Sequence, residues 1–68
     1  MDRTYKIIEL VGISNKSSDD AIQNAISKAS QTLKDLSWYE VVEHRGHIKE
    51  AKIHEYQVTL KVAFKVQK

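Results

Sequence analysis

Two side chains in this sequence carry chemistry that a plain core or surface position does not explain. Trp38, the only tryptophan, opens a run of strand-forming residues, Trp38-Tyr39-Glu40-Val41-Val42. Gln57 interrupts the polar side of a second run, Glu55-Tyr56-Gln57-Val58-Thr59-Leu60. An indole offers a rigid π-face, and a carboxamide both donates and accepts hydrogen bonds. Together they suit a flat heterocycle with an imide or amide edge. On composition alone a lone tryptophan is more often a core or interface residue, and a strand glutamine is usually solvated. An interface anchor therefore stays open beside a ligand platform.

Other chemistries are thinly supplied. There is no cysteine, which removes disulfides and thiolate zinc sites. His44, His47 and His54 are too few and too irregularly spaced for a metal site, and read as polar surface or interface residues. No pair resembles a nucleophile with an activating base, so no catalytic residue is assigned. Net charge is +2, with 11 basic and 9 acidic residues interleaved. That balance is too mild for nucleic acid or a membrane surface but is compatible with a small anionic ligand. No apolar run approaches the roughly 18 residues a membrane span needs. The N-terminus lacks the apolar stretch of a signal peptide. The expectation is a cytoplasmic protein.

These residues need a scaffold, and its outline is regular. The 68 residues make a single domain, 1–68, with no proline and two glycines, so elements should be long and loops short. Tyr5 to Val11 reads as a first strand ended by Gly12, with loop chemistry at Ser14 to Ser18. Ser17 and Asp20 resemble a capping box. Ala21, Ile22, Ala25, Ile26, Ala29, Leu33 and Leu36 then form one stripe, predicting an amphipathic helix of about five turns that stops near Ser37. Trp38 to His44 reads as a strand, and Gly46 permits a turn. In the last strand Tyr56, Val58, Leu60, Val62, Phe64 and Val66 alternate with Gln57, Thr59, Lys61, Ala63, Lys65 and Gln67.

The predicted fold class is α+β, in the order β-α-β-β, with a three-stranded antiparallel sheet wrapped around one helix. Such a sheet is covered on one side only, and its edges invite pairing. A core this small supplies only about 3–5 kcal/mol. With disulfides absent, symmetric self-association is the expected way to cover the open face. Parity places Gln57 on that face, and Trp38 joins it if Tyr39 and Val41 point inward.

Tyr5-Lys6-Ile7-Ile8-Glu9-Leu10-Val11-Gly12, Asp20-Ala21-Ile22, Thr32-Leu33, Leu36-Ser37-Trp38-Tyr39-Glu40-Val41, Arg45-Gly46 and Tyr56-Gln57-Val58-Thr59-Leu60-Lys61-Val62 together resemble the dodecin family. The resemblance runs from about Tyr5 to Lys65, and its specificity lies in the order and spacing of all the pieces. It implies a hollow homododecamer that binds flavins in stacked pairs between symmetry-related tryptophans. Trp38 matches the stacking tryptophan and Gln57 the glutamine that meets the pyrimidine edge of the ring. Arg45 matches a position contacting the flavin or its phosphate. Strict alternation from Trp38 would turn Arg45 to the opposite face, so a bulge is expected near Val41-Val42, or the arginine reaches a neighbouring subunit.

The implied ligand is FMN or riboflavin, with FMN slightly preferred through Arg45, and coenzyme A is a further ligand the resemblance allows. The implied role is flavin storage with suppression of photochemistry, not catalysis. The alternatives are a purely structural homo-oligomer and a coenzyme A-binding module without a flavin role. Two residues depart from the family pattern. Ala63 stands where many members have glycine, and Ala51 replaces a frequent glycine in the turn before the last strand. If that turn requires positive φ, Ala51 costs stability.

Overall fold

The computed structural model describes residues 2–66. The elements are β1 (Tyr5–Ser14), α1 (Ser18–Ala29), β2 (Leu36–Lys49) and β3 (Lys52–Lys65). The sheet is antiparallel in the order β1-β3-β2, so the last strand lies at the centre. This is the expected β-α-β-β fold. Gln67, at the end of the alternating run, lies outside the described residues.

The helix begins as the sequence requires. Ser17 is the N-cap, and its hydroxyl accepts from the Asp20 N–H at 3.0 Å. The Asp20 carboxylate does not close a capping box; it accepts from the Ser14 hydroxyl at 2.7 Å. That hydroxyl in turn accepts from the Lys16 N–H at 2.9 Å, so one buried serine ties the end of β1 to the start of α1.

The helix ends earlier than its apolar stripe predicts, at Ala29 instead of near Ser37. The Ser30 hydroxyl donates to the Ser27 carbonyl at 2.8 Å, and Gln31 and Thr32 donate to the third carbonyl back, tightening the chain out of α geometry. Asp35 then adopts φ 61°, a left-handed conformation in which a short polar side chain is tolerated. Leu33 still packs beside the helix, lining a crevice with Ile8 and Leu10. Leu36 opens β2 and reaches the core from the sheet.

β1 likewise extends beyond Gly12 to Ser14. Gly12 does not end the strand; it lets the helix rest on it, because a Cβ there would collide with the Ala21 carbonyl oxygen and stand 3.1 Å from the Ala25 Cβ. Gly46 lies inside β2, opposite Tyr56, without positive φ, and makes no turn. The turn is Glu50-Ala51, with φ 52° and 65°, joining the paired Lys49 and Lys52 as a two-residue hairpin loop.

The core is Ala21, Ile22 and Ala25 of the helix against Val58, Leu60 and Val62 of β3. α1 packs on β1 and β3, leaving β2 largely uncovered. The molecule is correspondingly long, 53 × 20 × 13 Å, with a radius of gyration of 14.0 Å, against about 11 Å for a compact chain of this length. It exposes 5397 Å², whereas a compact monomer of this mass exposes about 4,400 Å².

Two substitutions test these backbone constraints by thermal or chemical denaturation at fixed protein concentration. Gly12→Ala is expected to destabilise the fold by about 1–3 kcal/mol, because the helix must lift off the sheet. Ala51→Gly is expected to stabilise it by up to about 1 kcal/mol, since glycine removes the left-handed penalty at the turn while adding unfolded-state entropy.

Candidate functional site

Directly paired residues of a sheet point to the same side, so the register fixes which side chains share the face away from the helix. Across that outer face Ile7, Ala63 and Trp38 form one row, and Glu9, Lys61 and Glu40 the next. Val11, Thr59 and Glu43 follow, then Ile13, Gln57 and Arg45. Tyr39 and Val41 pair with the buried Val62 and Leu60, so they lie on the helix side as expected.

Trp38, Gln57 and Arg45 thus share one face, and two irregularities in β2 put them there. Leu36 pairs with Phe64 and Trp38 with Ala63, an offset that leaves Ser37 as an extra residue. Without it, Trp38 would point the same way as Leu36, toward the helix. A second offset between Val41 and Glu43 makes Val42 extra and returns Arg45 to the outer face, the bulge that parity demands.

The outer face is apolar where a monomer would be polar. Ile7 is 53% exposed, Val11 59%, Ile13 48% and Trp38 49%. Ala63 faces this side too yet is 1% exposed, covered by its neighbours. Lys61 stands opposite both Glu9 and Glu40, so the middle of the face is a band of mixed charge.

Gln57 and Arg45 are direct neighbours across β2 and β3. The Arg45 guanidinium lies 3.4 Å from the Glu43 carboxylate, with both side chains more than half exposed. Trp38 is not brought to them. Its partner Ala63 is six residues from Gln57 along β3, about 20 Å at 3.4 Å per residue. One chain therefore presents the indole at one end of the face and the amide–guanidinium pair at the other.

Tyr5, which the sequence marks only as a strand residue, stands beside Trp38 with ring centroids 4.8 Å apart. Nothing in linear spacing signals that contact, because it spans two strands. His47 and His54 also meet, 5.7 Å apart edge to face, near the hairpin end. A polar cleft of about 560 Å³ lies at the start of the helix, among Ser14, Lys16, Asp20, Asn24 and His54. None of the three candidate residues lines it. Among the described residues no helix is long and apolar enough to cross a membrane.

The dodecin family model matches residues 4–67 of the chain. The dodecin of Thermus thermophilus is 48% identical over 67 residues, covering 98% of this chain and 97% of its own length. A crystal structure of a Thermus thermophilus protein matches the fold with a TM-score of 0.95 at 46% identity, covering 98% of each chain. The structure of dodecin from Streptomyces coelicolor matches with a TM-score of 0.94 at 40% identity, covering 98% of this chain and 96% of its own.

The Arg45–Glu43 pair is exposed and adds little to stability. Glu43→Gln is expected to change unfolding free energy by less than about 0.5 kcal/mol in chemical denaturation. A loss above about 1 kcal/mol would show instead that the pair is desolvated by another copy of the chain.

Proposed function

The chain belongs to the dodecin family, and from that premise we propose that it is a homo-oligomeric flavin store. The observation carrying this reading is a half-exposed Trp38 on an uncovered sheet face that also holds the Gln57–Arg45 pair. The ligand is FMN or riboflavin, held as stacked pairs between Trp38 side chains of symmetry-related copies.

The donor set fits such a group. An indole face matches a tricyclic π-system, and stacking of this kind is worth roughly 1–3 kcal/mol. The Gln57 carboxamide can complement an N–H flanked by carbonyls, and leaving that edge unpaired in a pocket would cost about 1–3 kcal/mol. The Arg45 guanidinium suits a phosphate, which favours FMN. Since one chain holds Trp38 and Gln57 about 20 Å apart, a pocket using both takes them from two copies. Self-association, to a dodecamer in this reading, then covers the open face and completes the site together.

A bound flavin supplies a light-absorbing, redox-active ring. Trp38, an electron donor at stacking distance, quenches its excited state and so suppresses photochemistry. A ring enclosed on both faces leaves no position for a substrate, so the role is storage in the cytoplasm and not catalysis. Coenzyme A is a second ligand class, docked elsewhere on the assembly.

The test is a fluorescence titration of purified apoprotein with FMN and riboflavin in parallel, with particle size followed by light scattering. The expected outcome is strong quenching that saturates near one flavin per subunit on a twelve-subunit particle. Trp38→Ala should keep assembly and lose at least about tenfold in flavin affinity, or about 1.4 kcal/mol. Absence of quenching on an intact oligomer would sink the flavin reading. Dissociation of the Trp38→Ala protein would make Trp38 an interface anchor, and coenzyme A binding retained by that variant would mark a separate ligand site.

A further inference from the structure

Tyr5 lies on β1 and Trp38 on β2, strands that never pair because β3 runs between them. A strand spacing near 4.8 Å sets their backbones about 10 Å apart. Their ring centroids are nevertheless 4.8 Å apart, with planes tilted by 57°. The rings therefore meet above the central strand. Ala63, the partner of Trp38 on that strand, is 1% exposed, and its small side chain leaves room for the meeting. Arg3 adds a cation to the group, its guanidinium carbon 5.9 Å from the Tyr5 ring centroid.

The geometry points to Tyr5 as a positioning residue for Trp38, holding the indole in one orientation from one side and leaving its other side free for a flat ligand. This rests on the flavin reading and deepens it. Ring quadrupoles disfavour a face-to-face sandwich, and the tilted contact between the two rings avoids one. A half-exposed tryptophan without such a neighbour samples several rotamers, and a ligand must then select one of them. Fixing the ring beforehand removes that ordering cost from binding.

Trp38 is the only tryptophan, so emission excited at wavelengths that tyrosine does not absorb reports on this side chain alone. The experiment compares wild type, Tyr5→Leu and Tyr5→Phe, each checked for assembly by light scattering. Acrylamide quenching and anisotropy of Trp38 in the apoprotein are measured first, then FMN affinity by titration. Tyr5→Leu should make Trp38 more mobile and more accessible to acrylamide, and weaken FMN binding about tenfold, or about 1.4 kcal/mol. Tyr5→Phe, which keeps the ring, should stay within about twofold of wild type on the same affinity scale.

An assembled Tyr5→Leu protein with unchanged Trp38 anisotropy, accessibility and FMN affinity would overturn the proposal. If Tyr5→Leu fails to assemble, Tyr5→Thr, a strand-compatible residue without a ring, takes its place with the same two outcomes. Failure of wild type to bind either FMN or riboflavin would defeat the flavin reading, while the apoprotein emission would still decide whether Tyr5 orients Trp38.

Discussion

The helix is twelve residues long, about 18 Å at 1.5 Å per residue, whereas β2 and β3 run fourteen residues each, about 48 Å when extended. That mismatch governs the rest of the structure. The helix covers β1 and the later part of β3, where Val58, Leu60 and Val62 are buried, and leaves β2 and the hairpin end without a partner layer. Ile48 and Ile53, paired near the hairpin tip, are 71% and 61% exposed for this reason. Apolar residues in such numbers on both the outer face and the tip are the mark of a surface that meets another chain.

Close approach of the helix makes the small core sufficient. Gly12 lets the Ala21 carbonyl sit directly on β1, and Ala21 and Ala25 keep the helix low on the sheet. Small residues bury little area each, but they bring Ile22 within reach of the central strand. The Ser14 hydroxyl, which bonds Asp20 and the Lys16 N–H, pins the junction between strand and helix. The hairpin projects beyond this junction, since Ser14 pairs with Tyr56 while β2 and β3 run on to Lys49 and Lys52. On the opposite face Gln57 and Arg45 lie level with this junction, and Trp38 lies toward the strand end far from the hairpin.

Much of this was legible in the residues, for identifiable reasons. The unbroken alternation of Tyr56 to Phe64 placed the central strand, and Ser17 marked the helix start correctly. The helix end was not legible, because Leu33 and Leu36 keep helical spacing after the chain has left the helix. Leu36 packs on the core from the first position of β2, and half-buried Leu33 lines a crevice beside Ile8 and Leu10, so the stripe records burial and not backbone conformation. Gly46 misled in a similar way. A glycine suggests a turn, yet here it avoids a Cβ that would stand 2.7 Å from the Glu55 carbonyl oxygen, while the actual turn uses Glu50 and Ala51. The contact of Tyr5 with Trp38 depends on strand order, which linear spacing does not carry.

The positions where alternation fails are the ones that aim the candidate site. A regular β2 starting at Leu36 would send Trp38 into the space beneath the helix. There it would take the place opposite Val62 that Tyr39 now holds, and the indole would be lost from the outer face. The extra residue at Ser37 turns it outward onto Ala63 instead. A single bulge would then commit the remainder of β2 to the wrong parity and turn Arg45 to the helix side, away from Gln57. The second extra residue, Val42, corrects this and leaves Arg45 beside Gln57. The two bulges are thus coupled by parity. The first turns Trp38 outward and the second keeps Arg45 on that same face, so between them they place every candidate side chain on the face that the short helix cannot cover.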